Sequence, residues 1–204
     1  MIDEKLGLGM EPDKIYKIIL FTEAKKRYCG LLPDGSLDTV GLEAVRGDWA
    51  NVAKDAQERI LELVLKQRSP DRAMEFARGY IVKIREQRVP FRDLIIWKTL
   101  TKPVEQYEVN TPHVQAAKML INSGWDLAVG DRVGYVVTRG TGKLYERVKP
   151  YVFALYDEVD KEYYISNQVV PAALRILSLF NVDEKVLLKA ELPKQPKTLA
   201  DFLA

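Results

Sequence analysis

The sequence contains few residues of the types that build metal centres and disulfides. Its 204 residues include one cysteine, Cys29, and one histidine, His113. A single cysteine excludes an internal disulfide framework and a zinc site made of several cysteines. A lone histidine with no cysteine or acidic cluster beside it in the sequence does not make a metal site either. We therefore expect this chain to bind no metal ion and no cofactor of its own, and the free thiol favours a cytoplasmic location.

The sequence also lacks a strong excess of charge and any long apolar run. Lysine and arginine number 31 and aspartate and glutamate 29, so the net charge is only +2. Any nucleic-acid surface must therefore be a local patch on a nearly neutral protein. No apolar run approaches the length that a membrane-spanning helix needs, so we expect no membrane partner.

Periodicity predicts a small antiparallel sheet at the start of the chain. Residues 14–22 and 26–32 are apolar and typical of strands. The Pro-Asp-Gly turn at 33–35 favours a returning strand over residues 36–42. A sheet of this size needs a partner to cover its apolar face.

The middle of the chain alternates between helical and strand patterns. Asp48 predicts the N-cap of a first helix, and Ser69-Pro70 ends it and begins a second. Further along, the pattern predicts a strand, a short helix, a strand ending at Arg139 and a long helix. The predicted ranges are 94–101, 112–122, 129–139 and 160–180. Pro171 lies inside the long helix, where it either kinks the helix or marks a restart.

Three adjacent cations and a tyrosine lie at the beginning of the second predicted strand. Because side chains alternate along a strand, Lys25 and Arg27 share one face, and Lys26 and Tyr28 share the other. Local chemistry alone favours a solvated edge strand, where lysines block aggregation.

Several sequence blocks resemble, in order, those of archaeal family B DNA polymerases. Residues 22–32 (TEAKKRYCGLL) and 41–49 (GLEAVRGDW) resemble the stretch that follows the catalytic aspartates and leads into the thumb domain. The other matching blocks are 96–103 (IWKTLTKP), His113 in PHVQAAK, 137–142 (VTRGTG) and 163–177 (YYISNQVVPAALRIL).

In that family the KKRY element lies beside the primer–template duplex, where positive groups hold DNA of any sequence. The resemblance implies DNA-binding roles for ten residues of these blocks. They are Lys25, Lys26, Arg27, Tyr28, Arg46, Lys98, Lys102, His113, Arg139 and Gly140.

Alternative interpretations remain open for some of these residues. Lys98 and Lys102 are four apart on one face of the predicted strand, which is also typical of a solvated face. His113 is suited to a structural hydrogen bond as well as to one beside a phosphate. Glycine in the 140–142 loop lets the backbone approach a partner closely.

The end of the chain resembles a peptide that binds a sliding clamp. Within residues 196–203 (PKTLADFL), Leu199, Phe202 and Leu203 would enter one apolar pocket of the clamp. The usual first glutamine is replaced by Pro196, and Leu203 stands where an aromatic residue is usual.

Together these patterns predict an α+β fold. A small antiparallel palm sheet precedes a mainly helical thumb with a β-hairpin or strand subdomain, and a flexible tail follows. Residues 1–45 would form the C-terminal part of the palm, 46–190 the thumb, and 191–204 the tail with the clamp-binding peptide.

The family's metal-binding aspartate motifs do not occur in this sequence and would lie upstream of Met1. We therefore expect a small subunit of a heterodimeric DNA-directed DNA polymerase that is inactive alone. The catalytic aspartates and Mg²⁺ would belong to a large subunit that docks on residues 1–45. The alternatives are an engineered or degraded fragment, or a stand-alone module that binds duplex DNA or the clamp.

Overall fold

The computed structural model describes residues 13–189, and the predicted antiparallel sheet lies near its beginning. Strands β1 (Ile18–Phe21), β2 (Tyr28–Leu31) and β3 (Leu37–Val40) form the sheet in that order. Each strand is shorter than the sequence pattern predicts: residues 14–17 precede β1, and residues at the inner ends of the strands belong to the turns that join them. The antiparallel pairing itself is confirmed.

The two faces of this sheet differ in exposure. Leu20 pairs with Cys29, and both side chains are buried on the inner face. Ile19 and Phe21 point to the other face, where they are 36% and 63% exposed. The first sheet therefore has one face in the core and exposed apolar side chains on the other face.

Two amphipathic helices follow the sheet. Helix α1 (Asn51–Leu65) and helix α2 (Pro70–Arg85) pack against each other through their apolar stripes. Pro70 occupies the first turn of α2, as predicted, where its missing N–H leaves no hydrogen bond unmade. The predicted cap at Asp48 is wrong, because α1 begins after Ala50 and Asp48 is bound by two cations instead.

A second three-stranded antiparallel sheet lies further along the chain. Its order is β4 (Ile96–Thr99), β5 (Arg132–Val137) and β6 (Val148–Pro150), so β4 is an edge strand. Helix α3 (Pro112–Asn122) packs against β5 and β6. Gly124 follows its end with a φ of +88°, a backbone conformation that favours glycine.

The last part of the described chain is helical. Its segments are α4 (Lys161–Tyr164), a π-helical turn (Ile165–Val169), α5 (Val170–Leu177) and α6 (Glu184–Leu188). Pro171 lies in the first turn of α5, and the helical backbone continues into it from the π-helical turn without a break. Asn181 ends the helical run in the left-handed conformation.

One apolar core joins these elements. It extends from Leu20 of the first sheet through α1 and α2 to Leu187 of α6. The buried Tyr164 hydroxyl accepts a hydrogen bond from the Val137 N–H at 3.1 Å and ties the helical run to β5. The α+β class is confirmed, while the division between residues 45 and 46 stays a prediction. Within residues 13–189, no helix is both long and apolar enough to cross a membrane.

Candidate nucleic-acid interface

The KKRY element occupies a turn and only the beginning of a strand. Lys25 and Lys26 lie in the turn between β1 and β2, and Lys26 has a φ of +60°. The Thr22 N–H donates to the Arg27 carbonyl at 3.2 Å and closes this turn. The predicted alternation of these cations on two strand faces is therefore wrong, since β2 begins at Tyr28. A hairpin tip exposes both lysines to a partner more fully than a strand face would.

Gly41 packs closely against this turn. Gly41 has a φ of +67°, and an added Cβ would lie 2.5 Å from the Lys26 carbonyl oxygen. The backbone at residue 41 therefore approaches the lysine turn more closely than a side chain would permit. This contact joins the two sequence blocks that carry the family resemblance.

Arg27 is bound to a buried carboxylate. Its Nη1 lies 3.5 Å from Glu43 Oε1, and Arg175 Nη2 lies 3.4 Å from the same oxygen. Glu43 is only 1% exposed. One carboxylate thus faces two guanidinium groups. Together Arg27, Glu43 and Arg175 carry a net charge of +1.

Gln57 completes this group, which we call the Glu43 cluster (Arg27, Glu43, Gln57 and Arg175). Its Nε2 donates to Glu43 Oε2 at 2.7 Å and to the Ala172 carbonyl at 2.9 Å. Its Oε1 accepts the Ala44 N–H at 2.8 Å. The cluster links the first sheet, α1 and α5, and so fixes where Arg27 lies relative to the helices.

Tyr28 lies on the outer face of the first sheet. Its ring centroid is 5.9 Å from that of Phe21 and 6.3 Å from that of Tyr16. Tyr28 therefore belongs to an aromatic surface next to the exposed lysine turn.

A second group of cations surrounds Asp48. Arg46 donates from Nε and Nη2 to its two carboxylate oxygens at 3.2 and 3.1 Å, and Lys98 Nζ donates at 3.3 Å. Burial opposes ionisation of Asp48, but these hydrogen bonds outweigh it, so its pKa lies below the usual value. Asp48 is therefore a carboxylate that holds Arg46 and Lys98 together.

Lys102 and His113 lie close to this group. Strand β4 ends at Thr99, so the prediction that Lys98 and Lys102 share one strand face is wrong. Lys102 Nζ instead lies 5.0 Å from the centroid of the Tyr107 ring, which meets His113 edge-on at 5.6 Å. His113 Nδ1 lies 3.0 Å from Thr111 Oγ1. Burial, and then the charge of Lys98, lower the pKa of His113, which keeps the imidazole neutral near pH 7.

An open groove of about 520 Å³ lies beside these cations. We call it the β4 groove. Its lining consists of Gly47, Asp48, Trp97, Lys98, Thr99, Thr101 and Arg132. Cations and hydroxyls predominate in this lining, a combination that is suited to an anion such as a backbone phosphate.

Arg139 and Gly140 lie apart from both groups, in the loop after β5. The predicted strand over 129–139 ends earlier, at Val137, so Arg139 belongs to the loop. Its Nη2 donates to the Asp157 carbonyl at 2.5 Å, and the side chain is exposed. This hydrogen bond therefore fixes the direction of the exposed Arg139 side chain.

The structure thus divides the predicted site residues into three surface groups. Lys25, Lys26, Arg27 and Tyr28 form the first, while Arg46, Lys98, Lys102 and His113 form the second. Arg139 and Gly140 form the third. The predicted clamp-binding residues Leu199, Phe202 and Leu203 lie outside the described residues. Between residues 13 and 189, no group of three or more His, Cys, Asp or Glu side chains is placed to hold a metal ion.

The predicted site residues omit three members of these groups. Gln57 carries a usable signal, because it is a polar residue on the buried stripe of α1. Glu43 carries none, since nothing in its local sequence indicates burial beside two arginines. Arg132 reaches the β4 groove only through the register of β5 with β4, which the sequence does not reveal.

Comparisons with known proteins agree with the resemblance. A sequence profile of DNA polymerase family B matches residues 4–180. DNA polymerase 2 of Aeropyrum pernix is 50% identical over 202 residues, which cover 99% of this chain and 25% of that protein. The DNA polymerase of Archaeoglobus fulgidus is 36% identical over 202 residues, covering 91% of this chain and 26% of that protein. The chain spans about a quarter of the length of these relatives.

A solved structure supports the same relationship. The family B DNA polymerase from the hyperthermophilic archaeon Pyrobaculum calidifontis matches with a TM-score of 0.74 and 42% sequence identity. The match covers 90% of this chain and 24% of that one. The resemblance of the sequence blocks is therefore confirmed, and the chain belongs to DNA polymerase family B.

Proposed function

We propose that this chain is the small subunit of a two-chain family B DNA polymerase. It would complete the palm, supply the thumb and hold duplex DNA, while the catalytic aspartates and their Mg²⁺ belong to a larger partner. The observation that carries this proposal is the family match over residues 4–180 combined with three exposed groups of cations. When bound by the partner, Mg²⁺ would stabilise charge on the reacting phosphates. The residues of this chain would position the DNA.

Each cation group would contribute to binding in the same chemical way. Lys25 and Lys26 project from a hairpin tip, Lys98 lines the β4 groove, and Arg139 projects from the loop after β5. Lysine and arginine neutralise phosphates without reading bases, so the chain would bind duplex of any sequence. A polymerase needs this property because it must translocate along every template.

The first sheet would supply the docking surface for the larger chain. Its outer face carries the exposed side chains of Ile19 and Phe21 beside Tyr28. A small sheet gains stability when such a face is covered, and obligate interfaces are commonly apolar. Docking here would bring the lysine turn close to the active site of the partner.

The C-terminal peptide would connect the polymerase to a sliding clamp. We assign this role to Leu199, Phe202 and Leu203, which follow the aliphatic–aromatic spacing of clamp-binding peptides. Deletion of residues 196–204 should reduce clamp-dependent DNA synthesis and leave synthesis without the clamp unchanged. Equal loss of both activities would argue against the assignment.

Reconstitution of primer extension tests the proposed function. The catalytic chain in this test is DNA polymerase 2 of Aeropyrum pernix without the region that this chain matches. We expect the truncated enzyme to extend primers poorly, and we expect added chain to restore extension.

The matched control is the deleted Aeropyrum region supplied as a separate chain. Restoration by that control but not by this chain would contradict the proposed role for this chain. Restoration by neither would contradict the two-chain arrangement, including the interface at the first sheet.

A further inference from the structure

Arg132 is a cation of the β4 groove that lies outside the sequence blocks of the family resemblance. It is the first residue of β5, and its guanidinium carbon lies 5.4 Å from the centroid of the Trp97 ring. We propose that Arg132 binds a backbone phosphate of duplex DNA in the β4 groove, that Lys98 contacts the same DNA strand from the opposite face of the sheet, and that Trp97 holds the Arg132 guanidinium in place. This assignment rests on the proposed function and deepens it.

The sheet register places the two cations on either side of a free edge. Thr99 pairs with Arg132, whereas Lys98 pairs with Val133, so Arg132 and Lys98 belong to opposite faces of the sheet. Lys98 lies on the edge strand β4, and Arg132 lies on its neighbour β5. A polyanionic strand that crosses this edge would meet a cation on each face of the sheet. A compact ligand on one face would meet only one of them.

The charge balance of the groove favours an anion. Arg46, Lys98 and Arg132 face the single carboxylate of Asp48, which leaves an excess of two positive charges. Asp48 is already bound by Arg46 and Lys98, so it does not neutralise Arg132. Within residues 13–189, no carboxylate forms an ion pair with Arg132. Its charge is therefore available to a ligand.

The surroundings of Trp97 favour a phosphate over a base. The ring lies against Gly134 and Tyr151, whose ring centroid is 5.3 Å away, and Arg132 lies over it. These neighbours already occupy part of the Trp97 ring surface, which disfavours the stacking of a base on it. A guanidinium held over an aromatic ring keeps its N–H groups at the edge, where they suit two phosphate oxygens. The Thr99 hydroxyl adds a donor in the same groove.

The test is the salt dependence of duplex binding by the full 204-residue chain. Fluorescence anisotropy with a labelled primer–template duplex is measured for the wild type, Arg132→Ala, Arg132→Lys and the control Arg72→Ala. Arg72 is an exposed arginine of α2 whose side chain, within residues 13–189, donates only to Gln67, and it does not line the groove. Thermal unfolding of each variant checks the fold. Because Arg132 is exposed, we expect no change in the unfolding temperature.

We expect Arg132→Ala to reduce the slope of log affinity against log salt by about one. The affinity ratio of wild type to variant should then shrink about three- to fourfold between about 50 and about 200 mM salt. Arg132→Lys should keep the slope and lose affinity, because lysine lacks the planar fork. Arg72→Ala should match the wild type.

Two negative results lead to different conclusions. If the wild type binds duplex with a clear salt slope and Arg132→Ala behaves identically, the role of Arg132 is overturned and the proposed function stands. If the folded wild type does not bind duplex at low salt, the proposed function is overturned together with this inference.

Discussion

At the scale of single residues, the cations of this chain differ in how firmly they are held. Lys25 and Lys26 are exposed on a turn, whereas Arg46 and Lys98 are bound to Asp48 and Arg27 to Glu43. A held side chain loses less conformational entropy when it binds a phosphate. The chain therefore combines adaptable lysines with cations whose position is set by the fold.

The single histidine allows a clear test of one residue. Burial and the charge of Lys98 lower the pKa of His113 in the folded chain. Below its ordinary pKa of 6.5 the unfolded chain then binds more protons than the folded chain, so stability falls as pH falls. His113→Gln should therefore lose less stability than the wild type between about pH 7.5 and about pH 5.5.

Urea unfolding at a series of pH values measures this difference. His113 is the only histidine of the sequence, so no other imidazole contributes in that range. Parallel pH profiles for the wild type and His113→Gln would show that the folded pKa of His113 is not lowered.

At the scale of elements, the sequence predicts the kind of each element better than its ends. The strands and helices of the first 85 residues are present, yet Lys25 and Lys26 lie in a turn and α1 begins three residues after Asp48. Asp48 is a good capping residue by type, but its oxygens are bound by Arg46, two residues before it, and by Lys98, which the fold brings from the second sheet. Such tertiary competition is invisible to local patterns.

The candidate site shows the same limit. The family blocks locate Arg46, Lys98 and His113, and the structure brings these together around Asp48 and the β4 groove. Arg132 joins them only because β5 pairs with β4 in one particular register. A register is set by the pairing of complete strands, so a single sequence does not specify which distant residue completes a groove.

The Glu43 cluster provides a test at the element scale. Gln57→Leu removes two donated hydrogen bonds and one accepted one and leaves the buried Glu43 carboxylate poorly satisfied. Leaving such buried groups unpaired should lower the free energy of unfolding by about 3–5 kcal/mol.

Urea unfolding measures this change, and Gln106→Leu is the matched control because Gln106 is exposed. The control should shift the free energy of unfolding by less than about 0.5 kcal/mol. Equal effects of the two substitutions would contradict the structural role of the cluster.

At the scale of the whole molecule, the first sheet is anchored inside and apolar outside. Its inner face joins the core through Leu20 and Cys29, while Phe21 on the outer face is 63% exposed. A sheet with this pattern is suited to a position between the helical body of this chain and a second chain.

Phe21→Asp tests that arrangement. Placing a charge in an apolar interface should weaken binding to the larger polymerase chain, because the carboxylate loses its hydration without gaining a partner. Co-purification with the tagged, truncated Aeropyrum chain measures binding. Val109→Asp is the control, since Val109 is 68% exposed on a loop outside the first sheet. Equal recovery of the two variants would place the interface elsewhere.

The measurement that tests the central claim most directly is the affinity of the full chain for two duplexes of unrelated sequence over a range of salt concentrations. Phosphate binding predicts affinities that agree within about twofold and a linear fall of log affinity with log salt for both duplexes. A protein that recognises base sequence would instead bind the two duplexes with affinities that differ by about a thousandfold. Such a difference, or an affinity that does not change with salt, would contradict the account of this chain as a polymerase subunit that holds DNA by its backbone.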